Sequence, residues 1–226
     1  MRFATSLILA LVCARADTLP EILARMNADS PKFHGVVAQL TRIEYIAVLK
    51  EPSEEKAVLT LLKNKNSITA LLDYKSPDVK DILFRDGKVN EYLPKLNLIR
   101  EYDLGKYSSV VNQFVTLGFG ASGQELQKNY KIDLRGAEVL KILDRDVKVT
   151  KLELTPRSAE ALQYMKKIEF WIPDGASYAV QLKIYQPSGD TNTAIYNDVQ
   201  INPPSLNEHS VELKTPKNVA REKVNK

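Results

Sequence analysis

Near the start of the chain the apolar residues fall at helical spacing; from Phe33 onward they mostly alternate. Leu19, Ile22, Leu23 and Met26 mark one helical face. Thr18 before them, Pro20 in the first turn and Glu21 three residues after Thr18 form a capping box, which satisfies amide groups the first turn leaves unpaired. The helix should end before Pro31, since the residue preceding a proline avoids the helical region. From Phe33 the period becomes two. Val37, Gln39, Thr41, Ile43, Tyr45 and Ala47 make one alternating row, which predicts a long strand to about Leu49.

The same alternation predicts strands over Lys56–Lys63, Ser67–Lys75, Lys80–Arg85, Lys88–Leu93 and Leu98–Leu104. Glu51–Glu55 reads as a turn, and Asn64–Asn66, Tyr74–Pro77 and Pro94–Asn97 as breaks. Asp86-Gly87 is the strongest hairpin signal, because both residues tolerate the positive φ of a tight β-turn. Val110, Val111, Phe114, Val115 and Leu117 return to near-helical spacing, and Ser122 with Glu125 opens a short helix to about Asn129 through a second capping box. Further strands are expected at Tyr130–Leu134, Ala137–Leu143, Val147–Leu154, Ile168–Ile172, Ala179–Gln186, Thr193–Gln200 and Ser210–Leu213, with a helical turn within Ser158–Tyr164. Ten or more strands on short turns, with helices near the start and middle, predict an α+β domain: an antiparallel sheet with helices on one side.

The first sixteen residues have a different character. Met1-Arg2-Phe3 carries a positive charge, Ala4–Val12 is uncharged and mostly apolar, and Ala14-Arg15-Ala16 has the small-x-small form of a cleavage site. The run is shorter than the roughly 20 residues a spanning helix needs. Residues 1–16 are therefore read as a removed secretory signal, and residues 17–226 as one exported domain. Cys13, preceded by Val12 rather than a small residue, fits a lipidation signal poorly, and cleavage after Ala16 would leave a chain without cysteine. That chain would hold 30 basic and 28 acidic residues after the loss of Arg2 and Arg15 from 32, a net charge of +2. With no long basic block, no nucleic-acid partner is expected.

Catalytic patterns are sparse. Gly118-x-Gly120-x-x-Gly123 matches the dinucleotide fingerprint in letters, but it lies between helical segments, and Asp133 follows Gly123 too soon for a βαβ unit. The glycines read instead as a flexible hinge. Gly120-Ala-Ser-Gly123 is one residue short of a nucleophile elbow. His34 and His209 have no zinc spacing, and Asp144-Arg-Asp146 lacks the rest of a calcium loop. No metal or cofactor is expected. A histidine serving a triad whose serine stands in no recognisable motif, and a pair of carboxylates converging in a cleft, are the hydrolytic arrangements that spacing leaves open.

Taken in order, a signal, a capped helix, alternating strands, Ser76-Pro77, Phe84-Arg-Asp-Gly-Lys88, Tyr92-Leu-Pro-Lys-Leu96, a helical insertion and further strands to Lys214-Thr-Pro216 make a sequence that resembles the LolA-like periplasmic carriers of lipoproteins. Asp86-Gly-Lys-x-x-x-Tyr92-x-Pro94 looks like that family's hairpin motif, and the likeness runs from about Leu19 to Pro216. The resemblance implies a strongly curved, half-open antiparallel β-barrel with helices forming a lid over the concave face. It also implies a monomer that holds the acyl chains of lipoproteins, or other lipid, between an inner-membrane release complex and an outer-membrane acceptor. The chain departs from the family at Lys65–Leu72, which lacks the usual arginine, and in its glycine-bearing insertion.

Such a carrier needs no catalytic group. Burying about ten methylenes at about 0.8 kcal/mol each offsets roughly 8 kcal/mol of exposure, enough for micromolar-class binding before entropy losses. Periodicity nominates Leu23, Met26, Val111, Phe114 and Val115 on the lid, and Leu59, Leu61, Leu71, Leu83 and Trp171 on the sheet, as lipid-lining residues. Phe170 and Trp171 must face opposite sides of their strand. The alternatives are an envelope regulatory or structural module of the same fold that binds a protein, and a secreted hydrolase.

Overall fold

The computed structural model describes residues 17–64, 67–105 and 117–224. The residues read from the sequence as a signal, 1–16, and those expected to form a helix with Val111, Phe114 and Val115 lie outside the described residues. Helix α1 (Leu19–Asp29) forms where the spacing placed it, with the Thr18 amide donating to the Glu21 carboxylate at 2.8 Å and Ile22, Leu23 and Met26 buried.

The strands are β1 (Gly35–Ile46), β2 (Glu51–Lys63), β3 (Ile68–Ser76), β4 (Lys80–Arg85), β5 (Lys88–Leu93) and β6 (Leu98–Asp103), then, after α2 (Gly123–Asn129), β7 (Tyr130–Ile142) and β8 (Arg145–Pro156). The short α3 (Ala159–Leu162) precedes β9 (Lys167–Pro173), β10 (Gln181–Tyr185), β11 (Thr191–Ile201) and β12 (Ala220–Val224). All twelve join one sheet in the order β12-β6-β5-β4-β3-β2-β1-β11-β10-β9-β8-β7. The pairing is antiparallel throughout except for β12, which runs parallel to β6. The outermost strands, β7 and β12, do not pair with each other, so the sheet is open. Register shifts where β1 pairs with β11, β2 with β3 and β7 with β8 mark bulges, with the extra residue on β11, β3 and β7; a bulge bends a strand and increases its twist. The expected half-open α+β architecture is the one observed.

Four local expectations differ. Glu51–Glu55 is strand, and the turn falls at Ala47–Lys50. Pro52 is tolerated because β3 pairs with β2 only from Lys56 onward, leaving residues 51–55 with β1 on one side and no second ladder to break. Tyr130–Leu134 and Ala137–Leu143 are one strand, continued through a bulge at Gly136, whose φ is +114°. Ser210–Leu213 is not a strand: Glu208–Val211 forms a 3-10 turn capped by Asn207. Finally, β12 lacks apolar alternation and is held by backbone pairing to β6 and by Arg221–Glu101.

One face of the sheet carries α1 and α2, and with them most of the core. Leu152, Leu154, Ile168, Phe170 and Ile172 from β8 and β9 are wholly buried there with Ile22, Met26, Leu126 and Met165. The C-terminal segment crosses the other face of the β1–β4 region. Its Val211 is fully buried and accepts from Arg85 Nη2 at 3.0 Å, and Leu206 packs against Gly35. Among the described residues no helix is long and apolar enough to cross a membrane.

Candidate functional site

Alternation along the strands sets which side chains enter the concave face. Val36, Ala38 and Leu40 on β1 stand opposite Leu61, Leu59 and Ala57 on β2, which in turn face Ala70, Leu72 and Tyr74 on β3. Phe84 and Ile82 on β4 and Val89 on β5 continue the row. The result is an apolar wall from β1 to β5, joined by Phe33, Phe119 and Leu104.

The two halves of this face are covered unequally. On β8 and β9 the inward side chains are fully buried beneath α1 and α2. On β3 to β5 the inward Ala70, Tyr74 and Phe84 are buried, but Leu72, Ile82 and Val89 among them, with Leu104 beyond β6, are only half-buried. Apolar surface therefore stays accessible on one half of the concavity.

The two ends differ as well. At the end holding the β2–β3, β4–β5 and β9–β10 connections, α1 and residues 117–121 pack down on the sheet. Phe119 stacks on Tyr178 at 5.8 Å and meets Tyr196 edge-on at 4.8 Å. Glycine is required here. Gly120 has φ +79°, and a Cβ on it would lie 2.2 Å from the Phe33 ring; a Cβ on Gly123 would lie 2.5 Å from the Leu23 carbonyl oxygen. These glycines serve close packing, where the sequence had pointed to a flexible hinge. A side cleft of about 340 Å³ opens at the same end, with Met26, Phe33, Ala121, Ala176 and Tyr178 in its wall.

The opposite end is polar inside. Arg42 on β1 lies across from Glu55 on β2, with Nη1 to Oε2 at 2.8 Å. Lys80 on β4 reaches the other Glu55 oxygen at 2.8 Å and sits 4.7 Å from the Tyr74 ring centroid. The Asn192 amide oxygen, turned toward Arg42, accepts from Nε at 2.9 Å and Nη2 at 2.8 Å. Burial opposes the charge on Arg42, but Tyr74, Glu44 and Glu55 together outweigh it and hold the guanidinium above its usual range. Burial, and then Glu55, raise the Tyr74 hydroxyl despite Arg42. With side-chain exposures between 20% and 39%, Arg42, Glu44, Glu55 and Lys80 border a mouth that still meets water. Spacing gave no sign of this cluster, since its members come from separate strands.

The nominated lining residues separate by face. Leu59 and Leu61 are on the concave wall, and Met26 reaches the core beneath α1. Leu23 packs against the start of α2 at Gly123. Leu71 and Leu83 are cross-strand partners on the outer face, the side on which Arg85 meets the C-terminal segment. Trp171 also faces outward, opposite Phe170; its indole N–H donates to Glu138, and the Lys151 ammonium lies 4.8 Å over its ring. Sequence reasoning passed over Leu72, Ile82, Phe84 and Val89, although the alternation that flagged Leu59 and Leu61 reaches them through the strand pairing.

Among the described residues no group of three histidine, cysteine or acidic side chains is placed to hold a metal ion. His34 is exposed, and His209, also exposed, has only Glu212 beside it at 3.2 Å as a charged neighbour.

No family model matches the chain. No curated protein matches it either. Among solved structures it is similar to MucB, also solved in complex with MucA, with a TM-score of 0.52 and 11% identity over 87% of this chain and 62% of MucB, so it spans less than two thirds of that protein. It is also similar to a putative outer membrane lipoprotein-sorting protein domain from Vibrio parahaemolyticus, at a TM-score of 0.45 and 16% identity over 84% of this chain and 94% of that one. A LolA superfamily protein, NE2245 from Nitrosomonas europaea, matches at 0.39 and 13% over 88% and 99%. At these identities the likeness to MucB speaks to fold alone, and the open antiparallel sheet with helices over one face is the α+β architecture anticipated from the sequence.

Proposed function

We propose that this protein is a non-catalytic periplasmic carrier that shelters acyl chains, of lipoproteins or of other lipids, against the concave face of its sheet. The observation that carries this reading is the unequal cover of that face: a fully packed half on β8–β9 holds the fold, while the β3–β5 half keeps Leu72, Ile82 and Val89 half-open to a ligand. Met26, Leu59 and Leu61 flank that surface from the lid and the sheet. Leu23 supports the lid, and Val111, Phe114 and Val115 complete it on the reading of the sequence. Residues 1–16 direct export and are removed.

The test is native mass spectrometry of the protein purified from a bacterial envelope, followed by organic extraction. Co-purifying acyl chains, or uptake of added fatty acid, are expected. A clean ligand-free mass with no uptake would overturn the carrier reading.

A second reading draws on the open edge of β7, thirteen residues whose outer backbone side no strand of the described residues pairs, with Leu134 and Val139 exposed. In that reading the fold binds a protein segment by strand addition; MucB has been solved in complex with a protein, MucA. Substitution of Val139 by proline would then abolish partner capture and leave lipid uptake intact.

A further inference from the structure

Exposed apolar side chains are not spread evenly over the molecule. The sheet register places the β1–β2, β3–β4, β5–β6, β8–β9 and β10–β11 connections at one end, the end where Arg42, Glu55 and Lys80 border the mouth. The tip between β1 and β2 presents Val48 at 89% exposure, Leu49 at 62% and Ile46 at 37%. Val79 and Leu96, on the next two connections along, are 48% and 62% exposed, and Leu162 on α3 is 41% exposed. At the other end, among the described residues, the exposed large apolar residues are Leu143 at 62% and, at the end of β11, Ile201 at 39%.

The β1–β2 tip is held rigidly. Leu49 and Lys50 amides donate to the Ile46 carbonyl at 3.1 and 2.9 Å, and the Ala47 amide donates to Asp190 Oδ1 at 2.8 Å. Val48 and Leu49 are thus fixed pointing away from the molecule, so inserting them elsewhere requires little further ordering.

The charges on these connections nearly balance. Lys50, Lys95, Arg157 and Lys166 stand against Asp78, Glu160 and Asp190, a net charge of +1, and Lys95 is already paired with Asp78 at 2.9 Å. Apolar tips on separate loops, with little net charge among them, suit a fluid, electrically neutral interface into which each can sink independently. A rigid protein surface would have to match every tip at once.

We infer that this end of the barrel is a membrane-contact rim, with Val48 and Leu49 as its principal insertion point and a zwitterionic lipid surface as its partner. The inference rests on the carrier reading for its purpose: contact at the mouth lets an acyl chain pass between bilayer and concave face without crossing water. Its physical content is independent of that purpose.

The experiment is flotation of the chain from Asp17 onward, which contains every element of the sheet, with phosphatidylcholine vesicles. Wild type should float, and the Val48→Asp, Leu49→Asp double variant should partition at least tenfold more weakly. Leu143→Asp, at the opposite end, should bind as wild type, and raising the salt tenfold should change binding less than twofold. The inference is overturned if wild type does not float, if the double variant floats equally, if Leu143→Asp loses as much, or if only anionic vesicles capture the protein. Uptake of a soluble fluorescent fatty acid, measured without vesicles, keeps the two proposals apart. The double variant should take up the probe normally. Flotation without probe uptake by wild type would leave the rim standing and remove the carrier.

Discussion

Replacing Gly123 by alanine tests whether α1 and α2 form one rigid cover. Gly123 begins α2 and touches α1: a Cβ there would lie 2.5 Å from the Leu23 carbonyl oxygen and 2.9 Å from its Cα. Those are backbone atoms within a helix, so no rotamer change relieves them. Asn27 Oδ1 accepts from the Gln124 amide at 3.0 Å, and Arg25 Nε donates to the Ala176 carbonyl at 3.2 Å, so α1 is fastened on both sides of the contact. Restoring ordinary separations of about 3.5 Å requires the helices to part by about 1 Å. Overpacking of this kind costs about 1–3 kcal/mol, against a gain of under about 1 kcal/mol from alanine's better helix propensity. At roughly 2–4 °C per kcal/mol for a chain of this size, the melting temperature should fall by several degrees. Gly118→Ala is the control: its nearest neighbours are side-chain atoms of Leu182 and Tyr196 at 3.5 Å, an ordinary contact. Circular dichroism melts of the two variants and wild type decide the matter. A Gly123→Ala melting temperature equal to or above wild type would refute the close-packed helix pair.

Two further outcomes follow from named groups. Val89→Asp puts a carboxylate on the half-covered concave wall, where an unpaired polar group costs about 1–3 kcal/mol; fatty-acid probe binding should weaken roughly ten- to a hundredfold, while Val139→Asp, 58% exposed on β7, should leave it unchanged. Equal binding by Val89→Asp would move the ligand off this wall. Asp81 is pushed up from the usual carboxylate range by burial and by Asp73, its cross-strand partner, against the weaker pull of Lys75 and Lys214. A raised carboxyl pKa in the folded state means the ionised form destabilises above that pKa and the penalty is relieved as pH falls through it. Asp81→Asn should therefore stabilise by about 0.2–1 kcal/mol at pH 7 and progressively less toward pH 4, as read by urea melts at both values.

Where local chemistry decided the backbone, the sequence was enough to read it. Thr18 with Glu21 and Ser122 with Glu125 formed their capping boxes, and Asp86-Gly87 formed a turn with φ of 50° and 72°. Alternation placed nearly every strand within a few residues. It failed where pairing overrode composition: Glu51–Glu55 looks like a turn but is carried into β2 by β1, and β12 is recruited by β6 alone. The site was legible only in part for a related reason. Alternation distinguishes the two sides of a strand without saying which side is concave, so Leu59 and Leu61 were nominated together with Leu71 and Leu83, which the register puts on the opposite face. The Arg42–Glu55–Lys80 cluster gathers three strands, and no window of sequence contains it.

On the proposed carrier reading, the unequal cover of the concave face would reconcile stability with release. A barrel packed equally on all sides would have nowhere to put a ligand, and one open on all sides would lack a core. Here β8 and β9 bury their inward residues completely under α1 and α2, so the fold does not depend on cargo for its cohesion. The β3–β5 wall offers apolar contact without enclosing it, and each methylene sheltered there gains at most about 0.8 kcal/mol. Partial shelter means partial gain, and a carrier that must hand its cargo on needs affinity below what full burial would give. The ion pairs at the mouth are consistent with the same compromise. Arg42, Glu55 and Lys80 satisfy one another across three strands, so the entrance keeps its shape when empty, and a lipid leaving through it strands no charge.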